Sequence, residues 1–235
     1  MKKIKVITVI ILIQYAALSY ATEISLATRL GYSPSVGGSM SSGWQASTLG
    51  VMDGINDINR SGGGLAVSSV ESPVGVIAGA DLRIIRNSIY YKAGVEYIYQ
   101  ISGGTGKTIY ATGPEVVDVT YSQWSFDVPL TAGVALLFWG ESRIYIGGGA
   151  AFACGTYSNS FKSASLNHSA SFTGYAIPLV AEIGCEYLFN EWISFGCEIK
   201  YLYGKSAPVN DGTDHARVDF TGFHITASVT FNFNI

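Results

Sequence analysis

Charge is scarce in this chain of 235 residues: 17 Asp and Glu and 14 Lys and Arg make up only 13% of it, with a net charge of −3. No basic run interrupts the sequence, and an acidic chain without a basic stripe is a poor partner for nucleic acid, so none is expected. Cysteine is scarce too. Cys154, Cys185 and Cys197 form no Cys-x-x-Cys pair and have no histidine near them, which excludes the usual zinc spacings, and they are too few for a disulfide framework. No cofactor and no metal site are expected. Beyond the first 21 residues, no stretch approaches the roughly 18 apolar residues of a membrane helix. Yet mean hydropathy is +0.29, with 28 glycines and 15 tyrosines. A hydrophobic chain without long apolar runs must carry its information in spacing.

One stretch invites a nucleotide-binding reading, the GGTGKT of residues 103–108. A phosphate-cradling loop needs glycine five residues before Gly106, where Ile101 stands, and a helix after it. Thr108 and Ile109 are instead β-branched, and the chain then breaks at Gly113-Pro114, so this stretch reads as the base of a loop.

The N-terminus reads as an address. Lys2, Lys3 and Lys5 precede an apolar run over residues 6–13, and Ser19-Tyr20-Ala21 supplies a small-x-small cleavage site. Residues 1–21 are therefore expected to be a secretory signal peptide cut near Ala21, and residues 22–235 a single domain. The peptide holds three of the basic residues and no acidic ones, which leaves −6 on the mature chain. No cysteine at the cut argues against a lipid anchor.

After the signal the period is two. Ile24, Leu26, Thr28, Leu30 and Tyr32 alternate with Glu23, Ser25, Ala27, Arg29 and Gly31. Similar segments run over residues 74–84, 91–100, 124–136, 175–187, 193–203 and 223–235, each with an apolar face and a small or polar face. A glycine- and alanine-rich segment from Ile144 to about Tyr157 completes eight strands, though its facing cannot be assigned from the pattern.

Apolar faces suit either a soluble sandwich or lipid, and the connections decide between them. Long links at 34–73, 103–120, 158–170 and 204–217 alternate with tight turns at Arg86-Asn87-Ser88, Gly140-Glu141-Ser142 and Phe189-Asn190-Glu191-Trp192. Short turns on one side and long loops on the other describe a transmembrane β-barrel with even strand number. The aromatics agree. Tyr91, Phe138, Trp139, Phe189 and Trp192 lie near the short turns, whereas Tyr32, Tyr97, Tyr99, Trp124, Tyr175, Tyr201 and Tyr203 lie near the long links. Two such bands are what a bilayer's two interfaces select. The expected fold is all-β: an antiparallel up-and-down barrel of eight strands with short periplasmic turns and long extracellular loops.

Two motifs carry a resemblance. The chain ends VTFNFNI (229–235), and Ala176-Ile177-Pro178-Leu179 runs through Gly184-Cys185-Glu186-Tyr187 to Gly196-Cys197-Glu198-Ile199-Lys200-Tyr201. In these the chain resembles the small eight-stranded outer-membrane barrel proteins of diderm bacteria, the outer-membrane protein W, X and opacity-like groups. The resemblance implies a bacterial outer-membrane location and lipid as a partner. It also implies recognition by the outer-membrane assembly machinery through Phe231, Phe233 and Ile235, although that family usually ends in phenylalanine. Enzymes exist on this fold, acting on lipid.

The period assigns Arg29, Asp81, Arg83, Lys92, Glu96, Asp127, Glu182, Glu198, Lys200 and His224 to the lumen, with Glu23 and Glu186. Eight strands enclose a space that side chains can fill, and charges there must pair or stay hydrated. One reading is a salt-bridged plug in a protein of structural or surface-interacting role. The alternative is a narrow channel for small solutes of the outer-membrane protein W type, using room left by Gly75, Gly79, Gly94, Gly133, Gly184 and Gly196. Catalysis is not expected, because His168 and His215 lie in loops, and Thr226 and Ser228 are two and four residues from His224 on its own strand face.

Four further expectations complete the reading. FDVPLTA (126–132) echoes YAIPLVA (175–181), and a bulge is expected at Pro129 and Pro178. Leu49, Met52, Ile55 and Ile58 share a helical face in the first loop, weakened by Gly50 and Gly54. Should part of that loop pair as a hairpin, the barrel would have ten strands. Cys185 and Cys197 flank a turn symmetrically as neighbours facing lipid, either bridged or simply two small apolar residues. A monomer is expected, with an extracellular partner reached through the long loops.

Overall fold

A computed structural model describes residues 23–34, 65–70, 74–86, 88–102, 105–110, 116–138, 141–162, 164, 167–207, 209–210, 215–216, 218 and 220–234. The signal segment, the proposed helical face at Leu49–Ile58 and Ile235 lie outside the described residues.

The strands are β1 (Glu23–Ser33), β2 (Leu65–Val70), β3 (Val74–Arg86), β4 (Ile89–Ser102), β5 (Thr105–Tyr110), β6 (Val116–Phe138) and β7 (Ser142–Lys162). Next come β8 (Asn167–Ala176), β9 (Leu179–Leu188), β10 (Ile193–Tyr203), the two-residue pieces β11 (Val209–Asn210) and β12 (His215–Ala216), and β13 (Gly222–Asn234). All pairings are antiparallel. The ring runs β1–β3–β4–β6–β7–β9–β10–β13 and back to β1, so the barrel closes with eight strands. Burial alternates along most of each strand, broken where Arg83, Ile84 and Ile85 are all buried near the end of β3. On β9, Leu179, Ala181, Ile183, Cys185 and Tyr187 point out while Val180, Glu182, Gly184 and Glu186 point in. The outside carries Leu30, Leu136, Ile177, Phe195 and other large apolar residues, as lipid requires. Turns are tight on the periplasmic side, where Ser88 takes a positive φ of 66° between β3 and β4.

Two expectations need correction. The links 103–120 and 158–170 are mostly strand: β5 spans 105–110, β6 starts at Val116, β7 reaches Lys162 and β8 starts at Asn167. A spanning strand needs about 9–11 residues, whereas β6 has 23 and β7 has 21, paired without a register shift from Asp118↔Lys162 to Phe138↔Ser142. The surplus projects on the side opposite the short turns. There β2, from the end of the first long link, pairs with β5, and β5 with β6, while β8 continues beside β7. Thus the first link adds a strand to this extension and none to the barrel ring.

The second correction concerns the prolines. Neither makes a bulge. The β4–β6 register is the same on both sides of Pro129, with Ala93↔Leu130 below and Glu96↔Asp127 above. Around Pro178 the partners are Ala150↔Leu179 and Ala153↔Ala176, again in one register. β8 and β9 are one strand line with a gap at Ile177-Pro178. A missing N–H removes one ladder bond without demanding an extra residue, and the Pro178 carbonyl still accepts from Ala151 N at 2.9 Å. On the next strand line stands Gly204, where a Cβ would meet Pro178 Cα at 2.7 Å, so the ring has room.

Candidate functional site: a sealed lumen and an exterior hydroxyl face

Inward-pointing residues meet across the barrel, because opposite walls of so small a cylinder lie within one pair of side chains. At the periplasmic end, Arg143 from β7 clamps Glu23 of β1 with two bonds of 2.7 Å. Arg83 of β3 reaches both oxygens of Glu186 on β9 at 2.8 and 2.7 Å, and Ser194 donates to the same carboxylate at 2.5 Å. One layer higher, Lys92 of β4 bonds Glu182 of β9 at 2.6 Å and Glu198 of β10 at 2.7 Å. Tyr90 and Thr131 donate to the other oxygen of Glu182 at 2.7 and 2.8 Å. Arg29 pairs with Asp81 and lies 2.7 Å from Glu198. Lys200 pairs with Glu96, whose other oxygen is 3.2 Å from His224 Nδ1.

All ten residues assigned to the lumen from the sequence point inward and are buried. Nine of them join this network. Asp127 makes none of these ion pairs, although it faces Glu96 across the β4–β6 pair: it is 1% exposed, its oxygens lack a well-formed hydrogen bond, and Ser125, His224 and Lys200 are its polar neighbours. Among the described residues no group of three His, Cys, Asp or Glu could hold a metal ion.

Within the charged layers, Arg143, Tyr90 and Tyr145 escape the sequence reading. Arg143 and Tyr145 lie on the glycine-rich strand whose facing the pattern left open, and Tyr90 precedes the segment assigned to β4. The two tyrosines pack edge to face, 5.8 Å between centroids, with the Arg83 guanidinium 5.2 Å from the Tyr145 ring. They occupy the space two glycines leave. A Cβ on Gly184 would stand 2.2 Å from Tyr145, and one on Gly147 would stand 2.1 Å from the Tyr90 hydroxyl.

Above the charges the lumen turns apolar. Ile77 packs with Ile98, and Ala151 with Val180 and Leu202. The mouth is filled by Ala153, Tyr157, Phe172, Val218 and Phe220. Val218 and Phe220 lie just after the fourth long link and before β13, and both are buried in the opening. Ser206 N donates to Val218 O at 2.8 Å and Phe220 N to Gly204 O at 2.9 Å. No periodic signal announces this segment.

Outside, the apolar surface ends abruptly on β6, β7 and β8. Phe126, Cys154 and Tyr175 form one row across the sheet. The next row up is Trp124, Thr156 and Thr173, followed by Ser122, Ser158 and Ser171, then Thr120, Ser160 and Ser169, and at the top Asp118, Lys162 and Asn167. Each points outward. The hydroxyls of Thr156 and Thr173 lie 2.9 Å apart and those of Ser158 and Ser171 3.0 Å apart. The sequence held the signal, since Thr156, Ser158 and Ser160 keep the period of two. Polar residues on the outward phase read instead as loop composition.

Phe231 and Phe233 point outward at the periplasmic end of β13. Cys185 and Cys197 are register partners with sulfurs 3.2 Å apart, and both are free. Phe189 N bonds Ile193 O on the β10 side and Leu188 N bonds Glu141 O on the β7 side, so Cys185 sits in a hydrogen-bonded pair with Cys197. Such pairs hold Cβ atoms near 5.5 Å, wider than the 3.5–4.5 Å of a disulfide. That geometry favours two thiols.

Solved structures of the same architecture match along almost the whole chain. Neisserial surface protein A aligns over 91% of this chain and 98% of its own, at 10% identity and a TM-score of 0.47. OprG of Pseudomonas aeruginosa covers 92% and 98% at 13% identity and 0.38, and outer membrane protein W of E. coli 91% and 98% at 15% and 0.34. No curated protein matches the chain. A closed barrel with a lipid-facing apolar exterior belongs in the bacterial outer membrane. The profile of one family, the Leptospira porin protein OmpL1, matches residues 45–214, most of the barrel and its extension, and the chain belongs to that family.

Proposed function

We propose that this outer-membrane barrel is a structural and surface-presenting protein whose closed lumen does not conduct and whose working face is the extension above the membrane. The observation carrying this reading is the cross-barrel network of Arg29, Lys92, Glu182, Glu198 and Lys200, each 2–4% exposed. Water-filled channels belong to larger barrels, and a pore needs hydrated charges rather than charges spent on one another. The tyrosines against Gly147 and Gly184, and the apolar mouth, support it at two further depths. The protein works without catalysis: among the described inward side chains, His224 is engaged by Glu96 and Thr226 by Arg29. We also infer cleavage near Ala21 and insertion as a monomer by the outer-membrane assembly machinery through the outward Phe231 and Phe233.

Planar-bilayer recording of the folded protein tests the reading, with folding checked by heat-sensitive gel mobility. A silent bilayer is expected. Discrete, reproducible conductance steps would overturn it in favour of limited passage of small solutes. One observation favours that second reading: the buried carboxylate of Asp127 stands outside the ion pairs of the network and would be better satisfied in a more hydrated lumen.

A further inference from the structure

We propose that the outward hydroxyl face of β6, β7 and β8 binds the saccharide headgroup of an outer-leaflet glycolipid. The proposal does not depend on whether the lumen conducts. It rests on three observations.

First, the face continues the lipid-contacting surface. Phe126 and Tyr175 end the apolar exterior, Trp124 stands at the boundary, and the first hydroxyls come next on the same strands and in the same outward phase. Whatever lies directly over the acyl chains beside these strands lies against these side chains.

Second, the height is too great for a phospholipid. From Thr156 to Ser160 the hydroxyl rows climb about 14 Å along the strand at 3.4 Å per residue, or roughly 10 Å along the membrane normal at a 35–45° tilt. A phospholipid headgroup layer is only about 5–7 Å deep. A saccharide stacked on the lipid spans the difference.

Third, the chemistry is that of a polyhydroxyl partner. Six hydroxyls in two rows, Ser122, Ser158, Ser171 and Thr120, Ser160, Ser169, form an outward patch with no charge in either row. A phosphate partner would call for arginine or lysine there, and a protein partner for aromatic and aliphatic anchors. Serine and threonine both donate and accept, which matches sugar hydroxyls in either direction. The inward phase of the same strands is taken up by Gln123, Tyr157 and Phe172, all buried, while the outward hydroxyl residues are exposed or half-exposed.

The test compares two glycolipids that share acyl chains and phosphates: lipid A alone, and lipid A carrying its core oligosaccharide. The full-length protein, purified from outer membranes, is placed in phosphatidylethanolamine bilayer discs with either glycolipid, and the glycolipid retained by the protein is weighed by mass spectrometry. Core-bearing lipid should be enriched about tenfold over lipid A, the size that one or two net hydrogen bonds supply. A variant combining Ser122→Ala, Ser158→Ala, Ser160→Ala and Ser171→Ala should fall to the lipid A level while keeping its heat-sensitive mobility. Equal retention of the two lipids by the unaltered protein would overturn the proposal without any variant being needed. Enrichment that survives the fourfold change would overturn it too, by placing saccharide recognition on another surface.

Discussion

Along β7, Phe152 and Ser158 are three turns of the pleat apart, both outward, and they obey opposite rules. Around Phe152 the outside is apolar and the inward neighbours are Ala151 and Ala153, with the Asp127 carboxylate across from Ala153; around Ser158 the outside is hydroxyl and the inside is Tyr157 and Phe172. Strand and register do not change between them, since β6 and β7 stay paired throughout. Only the solvent changes. A sheet in lipid hides its polar groups inside, and the same sheet in water hides its aromatics inside. The contrast shows where the membrane ends more directly than any aromatic band does.

That contrast can be broken at its two ends. The largest effect is expected in the charged lumen. Glu198→Ala would strand Arg29, Lys92 and Lys200 around a cavity, and loss of one partner in a buried ionic cluster costs about 3–5 kcal/mol. Urea unfolding in lipid vesicles, monitored by gel mobility, should show the midpoint falling steeply or no folded band at all.

Tyr145→Ala comes next, with a loss of about 3–5 kcal/mol from the emptied space, and it sharpens the question of sealing. If the ring plugs the lumen beside Gly184, the folded variant should give conductance steps in a bilayer where the unaltered protein is silent. At the boundary itself, reciprocal changes should differ. Phe152→Ser removes a lipid contact and should destabilise by about 1.5–3 kcal/mol, whereas Ser158→Ala should lie within about 0.5 kcal/mol; both are read by the same unfolding assay. The smallest effect concerns the thiols. Denatured without reductant, the protein should react with a maleimide at all three cysteines, counted by intact mass, and a shortfall of two would reveal a Cys185–Cys197 bridge.

The spanning region was legible because lipid imposes a single demand on every strand. Alternations such as Ile24-Leu26-Thr28-Leu30 and Tyr175-Ile177-Leu179 could be assigned to one face, and the inward charges followed by parity. Which charge meets which was not legible. Lys92 finding Glu182 and Glu198 depends on the stagger between opposite walls, and that is a property of the closed cylinder rather than of any strand. The extension has the composition of loops, because its outward phase is serine and threonine, residues that also mark turns. The inward turn of Val218 and Phe220 left no trace, since two buried residues in an irregular segment have no period.

The seam between β1 and β13 joins Glu23 to Asn234, the two ends of the described chain. Such a contact is the slowest kind to form, because almost every residue must be in place before its ends meet. The ion pairs spanning the lumen inherit that timing. Arg29 on β1 reaches Glu198 on β10, and Lys200 on β10 reaches Glu96 on β4, across a gap that exists only when the ring is shut. In a half-rolled sheet entering the membrane these charges have neither water nor partners. The interior thus works as a latch on assembly: partly closed intermediates are penalised in proportion to the charges left facing one another across the opening. Insertion should accordingly proceed in one concerted step, with truncation of β13 abolishing it rather than yielding a seven-stranded remnant.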